Sequence, residues 1–187
     1  MSYKDETLKK YLDDLAARLP APGGGSAAAL AAGMGASLIS MVVNFSLGKP
    51  KYAKYENELK SILDKSERLR EELLRLVDLD VAAYESKNTR DALDVPFMAA
   101  RLCFEGAKLC LPLIKKGNIN LISDVAVAAI LLESAFACAY FNVEINLKTL
   151  DDKKLSRAIR KELMQKGITI TKIRLETEEK VGKIIRR

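Results

Sequence analysis

Apolar residues return along this chain every three or four positions, and no stretch shows the two-residue alternation of a half-buried strand. Leu8, Tyr11, Leu12, Leu15 and Leu19 mark a first helix over residues 5–19. The run Pro20-Ala21-Pro22-Gly23-Gly24-Gly25 breaks it. Ser26 is placed to cap a second helix over 27–47, which Gly48-Lys49-Pro50 ends. A third helix over 51–85 carries Leu59, Ile62, Leu63, Leu69, Leu73, Leu76 and Val77 at helical spacing. A polar connection over 86–90 leads to a fourth helix over 95–116, with Pro96 in its first turn and Pro112 set to bend or end it. Gly117-Asn118 is its stop signal. A fifth helix follows over 123–147. A sixth starts at Asp151 or Asp152, has Gly167 as its one candidate break, and is charged enough to predict a surface helix. With no linker or internal repeat, the expected fold is one all-α domain over 1–187, an up-and-down bundle of about six long helices.

The second helix departs from an ordinary core pattern. Ala27, Ala28, Ala29, Ala31, Ala32, Gly33, Gly35 and Ala36 leave it little side-chain bulk, and glycine costs helix stability. Such a surface predicts close approach by another backbone, within the chain or across a dimer, or by a ligand. No residue from Leu19 to Gly48 is charged, but Ala and Gly dominate where a spanning helix would carry Leu and Ile. The other apolar stretch, 121–143, contains Asp124 and Glu133. Central buried helices are expected here, not membrane spans.

Composition narrows the chemistry. The 187 residues, 49% hydrophobic and 30% charged, suffice for a core without a disulfide or metal staple. The net charge is +6, but acids and bases alternate, as on a salt-bridged helical surface. With no Trp and 6% aromatics there is no base-stacking platform, so no nucleic-acid partner is expected. The chain has no histidine, which excludes Ser-His-Asp and Cys-His nucleophile systems and imidazole metal ligands; no metal site is expected. Three cysteines, Cys103, Cys110 and Cys138, lie in apolar stretches without CxxC spacing, which predicts free thiols packed as small hydrophobes in a reducing, cytoplasmic compartment. The charged first ten residues do not read as a secretion signal.

Several clusters can carry chemistry. Pro22-Gly23-Gly24-Gly25-Ser26 can aim several N–H groups at one spot beside a helix start, a cradle for an anion or carbonyl, or else serve as a flexible turn. Asp80 and Tyr84 lie four apart on one helical face among apolar neighbours, where a buried carboxyl gains proton affinity; the plain alternative is an exposed Asp near a helix end. Gly117, Asn118, Ser123 and Asp124 crowd the entrance to the fifth helix, where Ser123 can cap and Asp124 suits the positive helix start. Asn142 and Asn146 sit among apolar residues, so their amides need partners in the chain, a dimer mate or a ligand.

Taken in order, PAPGGGSAAALAAGMGASLISMVVNFSLGKPKY, DLDVAAY, GNINLISDVAVAAILLESA and NVEINLK resemble the cyclodeaminase domain of formiminotransferase-cyclodeaminase and its stand-alone relatives, some of them methenyltetrahydrofolate cyclohydrolases. The resemblance covers residues 8–150. It implies an all-helical homodimer with folate sites near the subunit contacts, and cyclodeaminase or cyclohydrolase activity on a tetrahydrofolate derivative, polyglutamylated or not, with no further cofactor. A non-catalytic dimer of the same fold is the alternative. The implied roles are proton transfer by Asp80 or Asp124, orientation of the pterin or reacting carbon by Tyr84, Asn118 and Ser123, and capture of a glutamate-tail carboxylate by Gly23, Gly24, Gly25 and Ser26 with Lys49 or Lys51. The segment between Tyr84 and Pro96 is shorter here than the family pattern implies.

Overall fold

The computed structural model describes residues 2–186. Its helices are α1 (Leu8–Ala16), α2 (Gly24–Asn44), α3 (Glu56–Ser86), α4 (Thr89–Ala107), α5 (Cys110–Lys116), α6 (Ile122–Leu147) and α7 (Lys153–Ile185). Short 3-10 turns cover Tyr3–Asp5, Pro50–Tyr55 and Ile119–Leu121, and no strand occurs among the described residues. All six expected helical regions are helical, with the fourth split into α4 and α5.

The long helices run up and down. α2 and α3 are antiparallel, since Ser26 meets Asp80 at one end and Ser40 meets Ser66 further along. α6 is antiparallel to α4, with Asn146 on Ala92 and Leu132 on Gly106. α7 is antiparallel to α6, with Arg160 on Glu144 and Thr171 on Glu133. α2 and α6 form the centre, antiparallel to one another. Ala32, Ala36, Ile39, Val42 and Val43 of α2 and Val125, Ala128, Leu132 and Val143 of α6 are fully buried. The small residues of α2 serve this pair: a methyl on Gly35 would lie 2.8 Å from Leu132 Cγ and 3.2 Å from the Ala128 carbonyl. Both helices are long and apolar enough to cross a membrane by length and composition, and 56% of the α2 window is buried within the fold against 39% for the α6 stretch.

Helix boundaries differ from expectation for physical reasons. α1 is short and docks through buried Tyr11 and half-buried Leu15, leaving Leu8 and Leu12, and Leu19 beyond its end, exposed. α4 begins six residues earlier than expected, because Asn88 caps it by accepting from the Arg90 N–H while donating to Asp91. α3 ends at Ser86, and Lys87 after it, with a left-handed backbone (φ 54°), turns the chain toward the Asn88 cap. Pro96 therefore lies inside α4, where its missing N–H deprives the Ala92 carbonyl of a partner. Asn146 of α6 fills the gap, donating to Ala92 O at 2.5 Å. The break comes at Lys108–Leu109, and Pro112 sits in the first turn of α5, where no N–H is needed. α7 is unbroken: Gly167 faces the Phe136 ring at ordinary contact distance, and Leu163, Ile170 and Val181 anchor the helix in the core. Asp152 caps it through the Leu155 N–H. Cys103 and Cys110 are buried, and burial pushes both thiols up, Cys110 to about 12; Cys138 is exposed, contrary to the expectation that all three pack inside.

Candidate active site

The glycine run does not form the expected loop. Gly23 is extended (φ −133°, ψ −161°) and stands at the N-cap, while Gly24, Gly25 and Ser26 already belong to the first turn of α2. None of the three glycines uses a left-handed backbone. What Gly25 provides is room. A methyl there would lie 2.7 Å from Asp80 Cγ and 2.9 Å from Asp80 Oδ2, and nearer still to Oδ1. Asp80, reaching across from α3, accepts the Ser26 N–H on Oδ2 at 2.8 Å. The anion held at the start of α2 is thus a carboxylate of the chain itself, so the Ser26 amide expected to bind a ligand is already engaged.

Burial pushes the Asp80 carboxyl above its usual range, and the Ser26 amide offsets only part of that effect. Asp80 faces a cleft of about 310 Å³ whose walls include Gly23–Gly25, Tyr84, Ala92, Asn142 and Asn146. No Lys or Arg lines it among the described residues. Tyr84 stands exposed at the rim. Asn142 approaches Gly24, lines the cleft and donates to the Cys138 carbonyl at 2.9 Å. The arrangement supplies a carboxyl group of raised proton affinity, flanked by amide and phenol groups that can orient a polar heterocycle. Asn142 and Asn146 had no place in the site expected from the sequence. Their amides were visible as groups needing partners, but only the antiparallel α2–α6 pairing sets the end of α6 beside the start of α2.

The remaining candidates gather at the other end of that pair. Asn118 is buried and fully engaged in the fold: its N–H donates to Ser46 Oγ at 2.7 Å, its Nδ2 to the Phe45 carbonyl at 3.1 Å, and its Oδ1 accepts from Asn120 N–H at 3.1 Å. It locks the end of α2 to the entrance of α6, and does not face the cleft. Lys49 lies past the end of α2, with Nζ 6.0 Å from the Phe45 ring centre. Ser123 and Asp124 fall within the first turn of α6, and Ser123 does not cap it. Along α6, Asp124 and Asn142 are separated by about 27 Å at 1.5 Å per residue. Within one chain, Asp80, Tyr84 and Gly23–Ser26 are therefore brought together, whereas Lys49, Asn118, Ser123 and Asp124 are not.

A larger groove of about 550 Å³ runs between α6 and α7, lined by Phe136, Tyr140, Phe141, Met164 and Ile168. Its one carboxylate, Glu133, is bound by Thr171 at 2.9 Å and faces Arg174 at 3.9 Å. That groove is mostly apolar surface, and its carboxylate is already engaged within the fold, unlike the cleft-facing Asp80.

Known proteins share this sequence and fold. The family described as formiminotransferase-cyclodeaminase matches residues 7–87 and 85–165, the two matches meeting at the tight α3–α4 turn. A methenyltetrahydrofolate cyclohydrolase of Methylorubrum extorquens is 38% identical over 182 residues, covering 85% of this chain and 88% of that protein. The formimidoyltransferase-cyclodeaminase of Rattus norvegicus is 32% identical over an alignment that covers 81% of this chain but 32% of the rat protein, so the chain corresponds to about a third of that larger enzyme. The crystal structure of formiminotetrahydrofolate cyclodeaminase from Thermotoga maritima superposes with a TM-score of 0.92 at 29% identity, over 97% of this chain and 98% of the other. Matched by the family over most of its length and sharing nearly its whole fold with a solved cyclodeaminase, this chain belongs to the formiminotransferase-cyclodeaminase family.

Proposed function

We propose that this chain is an enzyme of tetrahydrofolate one-carbon metabolism that makes or opens the methenyl bridge between N5 and N10. In the cyclodeaminase direction N10 attacks the formimino carbon on N5, a tetrahedral carbon forms, and ammonia departs as its nitrogen takes up a proton. In the cyclohydrolase direction water adds to the methenyl carbon, the bond to N5 breaks, and a formyl group remains on N10 with release of a proton. Both share the cationic amidinium bridge and one proton transfer at the tetrahedral carbon. The observation that supports this reading is the cleft itself: one half-buried carboxylate of raised proton affinity, with no Lys or Arg among the described lining residues. A carboxylate without a competing cation complements the amidinium, and a carboxyl of raised proton affinity is suited to protonate the leaving nitrogen or to take a proton from the attacking group. Asp80 is the proton-transferring residue in this reading, and Tyr84, Asn142 and Asn146 orient the pterin. The glutamate tail, single or extended, leaves past Tyr84 toward Lys87 and Asn88, which line a shallow continuation of the same cleft.

The functional unit in this reading is a homodimer seated on α6. Every exposed residue of α6 is uncharged: Ser123, Val127, Ile130, Ser134, Ala137, Cys138, Phe141 and Ile145. A helix apolar on all sides needs cover on all sides, and one face of α6 has none in the single chain. A two-fold axis through Ser134, midway along that face, would carry Asp124 of the partner subunit to the Asn142–Asn146 end of α6. Such an arrangement would keep Asp124 and Ser123 of the partner subunit near the site.

The test follows the absorbance of the methenyl form. Purified protein should raise it from 5-formiminotetrahydrofolate or remove it from 5,10-methenyltetrahydrofolate faster than the uncatalysed reaction, and the sign of the change tells the two activities apart. No turnover of either folate, with no heat of folate binding in calorimetry, would reduce the assignment to a shared fold.

A further inference from the structure

Behind the cleft, two buried side chains join α1 to Asp80. Ser26, whose N–H holds Asp80 Oδ2, is fully buried, and its hydroxyl lies 3.1 Å from Tyr11 Oη. Tyr11 is 4% exposed and packs edge-on against Tyr3, ring centres 5.5 Å apart. The segment carrying both tyrosines is anchored on α3 by Asp78, which accepts the Tyr3 N–H at 2.6 Å and the Ser2 hydroxyl at 2.8 Å. Residues 2–16 thus strap the two helices that meet at Asp80: α3 two residues before it, and α2 at the residue bonded to it.

Nothing inside α2 performs this task. Its N-cap is Gly23, without a side chain to close the first turn, and the next two residues are glycines. The two hydroxyls satisfy one another in a place that water does not reach. A phenylalanine would fill the same pocket against Tyr3, so packing alone does not call for the Tyr11 oxygen.

We propose that Tyr11 is a positioning residue for Asp80: by bonding the Ser26 hydroxyl it fixes the first turn of α2 so that the Ser26 N–H stays on Asp80 Oδ2. The inference rests on Asp80 being the proton-transferring group of the proposed function. The groups that face Asp80 are Ser26 and Gly25 from α2, Tyr84 from its own helix, Asn142 and Asn146 from α6, and Tyr11 behind Ser26. The Ser26 amide is what opposes the effect of burial on Asp80, and the Asp80 charge in turn helps raise the Tyr11 phenol, after burial as the larger cause. Loosening the first turn of α2 therefore moves Asp80 upward.

The test compares Tyr11→Phe with Tyr3→Phe. The second removes the neighbouring hydroxyl of the same strap, which bonds Asp14 and not Ser26. Carbon-13 carboxyl NMR of folate-free protein reads the Asp80 titration, assigned by its disappearance in Asp80→Asn, while thermal melts report folding. Tyr11→Phe should shift the Asp80 midpoint upward by roughly half a pH unit and Tyr3→Phe should leave it in place. The corresponding limb of the kcat–pH profile should move with it at constant KM. Ser26→Ala, which removes the other hydroxyl and keeps the amide, carries the same expectation if Tyr11→Phe does not fold. An Asp80 midpoint unmoved by loss of either hydroxyl, or moved equally by Tyr3→Phe, overturns the proposal. The NMR arm uses no folate, so failure of the folate assignment would leave its result intact.

Discussion

Replacing Gly25 by alanine sets a methyl group against the Asp80 carboxylate. The new Cβ would stand 2.7 Å from Asp80 Cγ, whereas carbon atoms pack at about 3.5–4.0 Å, so Asp80 must withdraw by about 1 Å. The Ser26 bond, now 2.8 Å, would stretch beyond hydrogen-bonding reach. Two costs combine. Overpacking a filled site costs about 1–3 kcal/mol, and a buried N–H left without its acceptor costs about 1–3 kcal/mol. Allowing for partial relaxation and a small gain in helix propensity, the net loss is about 2–4 kcal/mol, or roughly 5–15 °C in melting temperature for a chain of this length. The neighbouring glycines provide the control. A methyl on Gly24 meets Asn142 Nδ2 at an ordinary 3.6 Å, and one on Gly23 meets nothing within 4 Å. Both alanine variants should melt within about 2 °C of wild type. Thermal melts and methenyl absorbance assays on the three variants separate them, and a further melt of Gly25→Ala in an Asp80→Ala background closes the cycle. In that background the methyl has room, so its cost should largely vanish while activity stays absent. An equal penalty with and without the Asp80 carboxylate, or equal penalties at Gly24 and Gly25, would refute the reasoning.

Two further predictions concern charge and assembly. Asp80→Asn should lower turnover by about 10²-fold or more if the carboxylate transfers the proton. Because burial raises its proton affinity in the folded state, the ionised Asp80 weighs against folding: that penalty grows as pH rises from the unfolded value near 4 through the folded value. The variant should therefore gain stability over wild type in urea melts at pH 7 and lose that advantage at about pH 4; an offset that is the same at both would exclude desolvation as its source. Phe141, 74% exposed on the uncharged face of α6, should on change to Glu turn a dimer into a folded monomer in sedimentation. A monomeric wild type, or a variant that stays dimeric, would remove α6 as the contact.

The helical periods carried most of the fold, because an apolar face must recur at 3.6 residues wherever a helix packs on a core. They could not fix ends decided by side chains from elsewhere. Pro96 marked a helix start by local rule, yet Asn146, distant in sequence, lets it stand inside α4. The earlier start was written in Asn88-Thr89-Arg90-Asp91, a cap with an acid three residues on, but the nearby proline is the stronger local signal. At the site, Asp80 and the glycines were legible as residue types, while their relation was not: three glycines in a row suggest backbone freedom, and only the approach of α3 reveals that Gly25 is there for its missing side chain. Asn118 was misread for the opposite reason. An amide at a helix entrance looks available for a ligand until its partners on α2 are known.

The bond from Asn146 to the Ala92 carbonyl has a mechanical consequence. The first turn of α4, which forms one lip of the cleft, is fastened to α6 by a side chain at the point where Pro96 interrupts its own ladder. That lip is therefore tied to α6 as well as to the rest of α4. Asn142 and Ile145 of α6 line the same cleft, so the helix that carries the open uncharged face also carries one wall of the entrance.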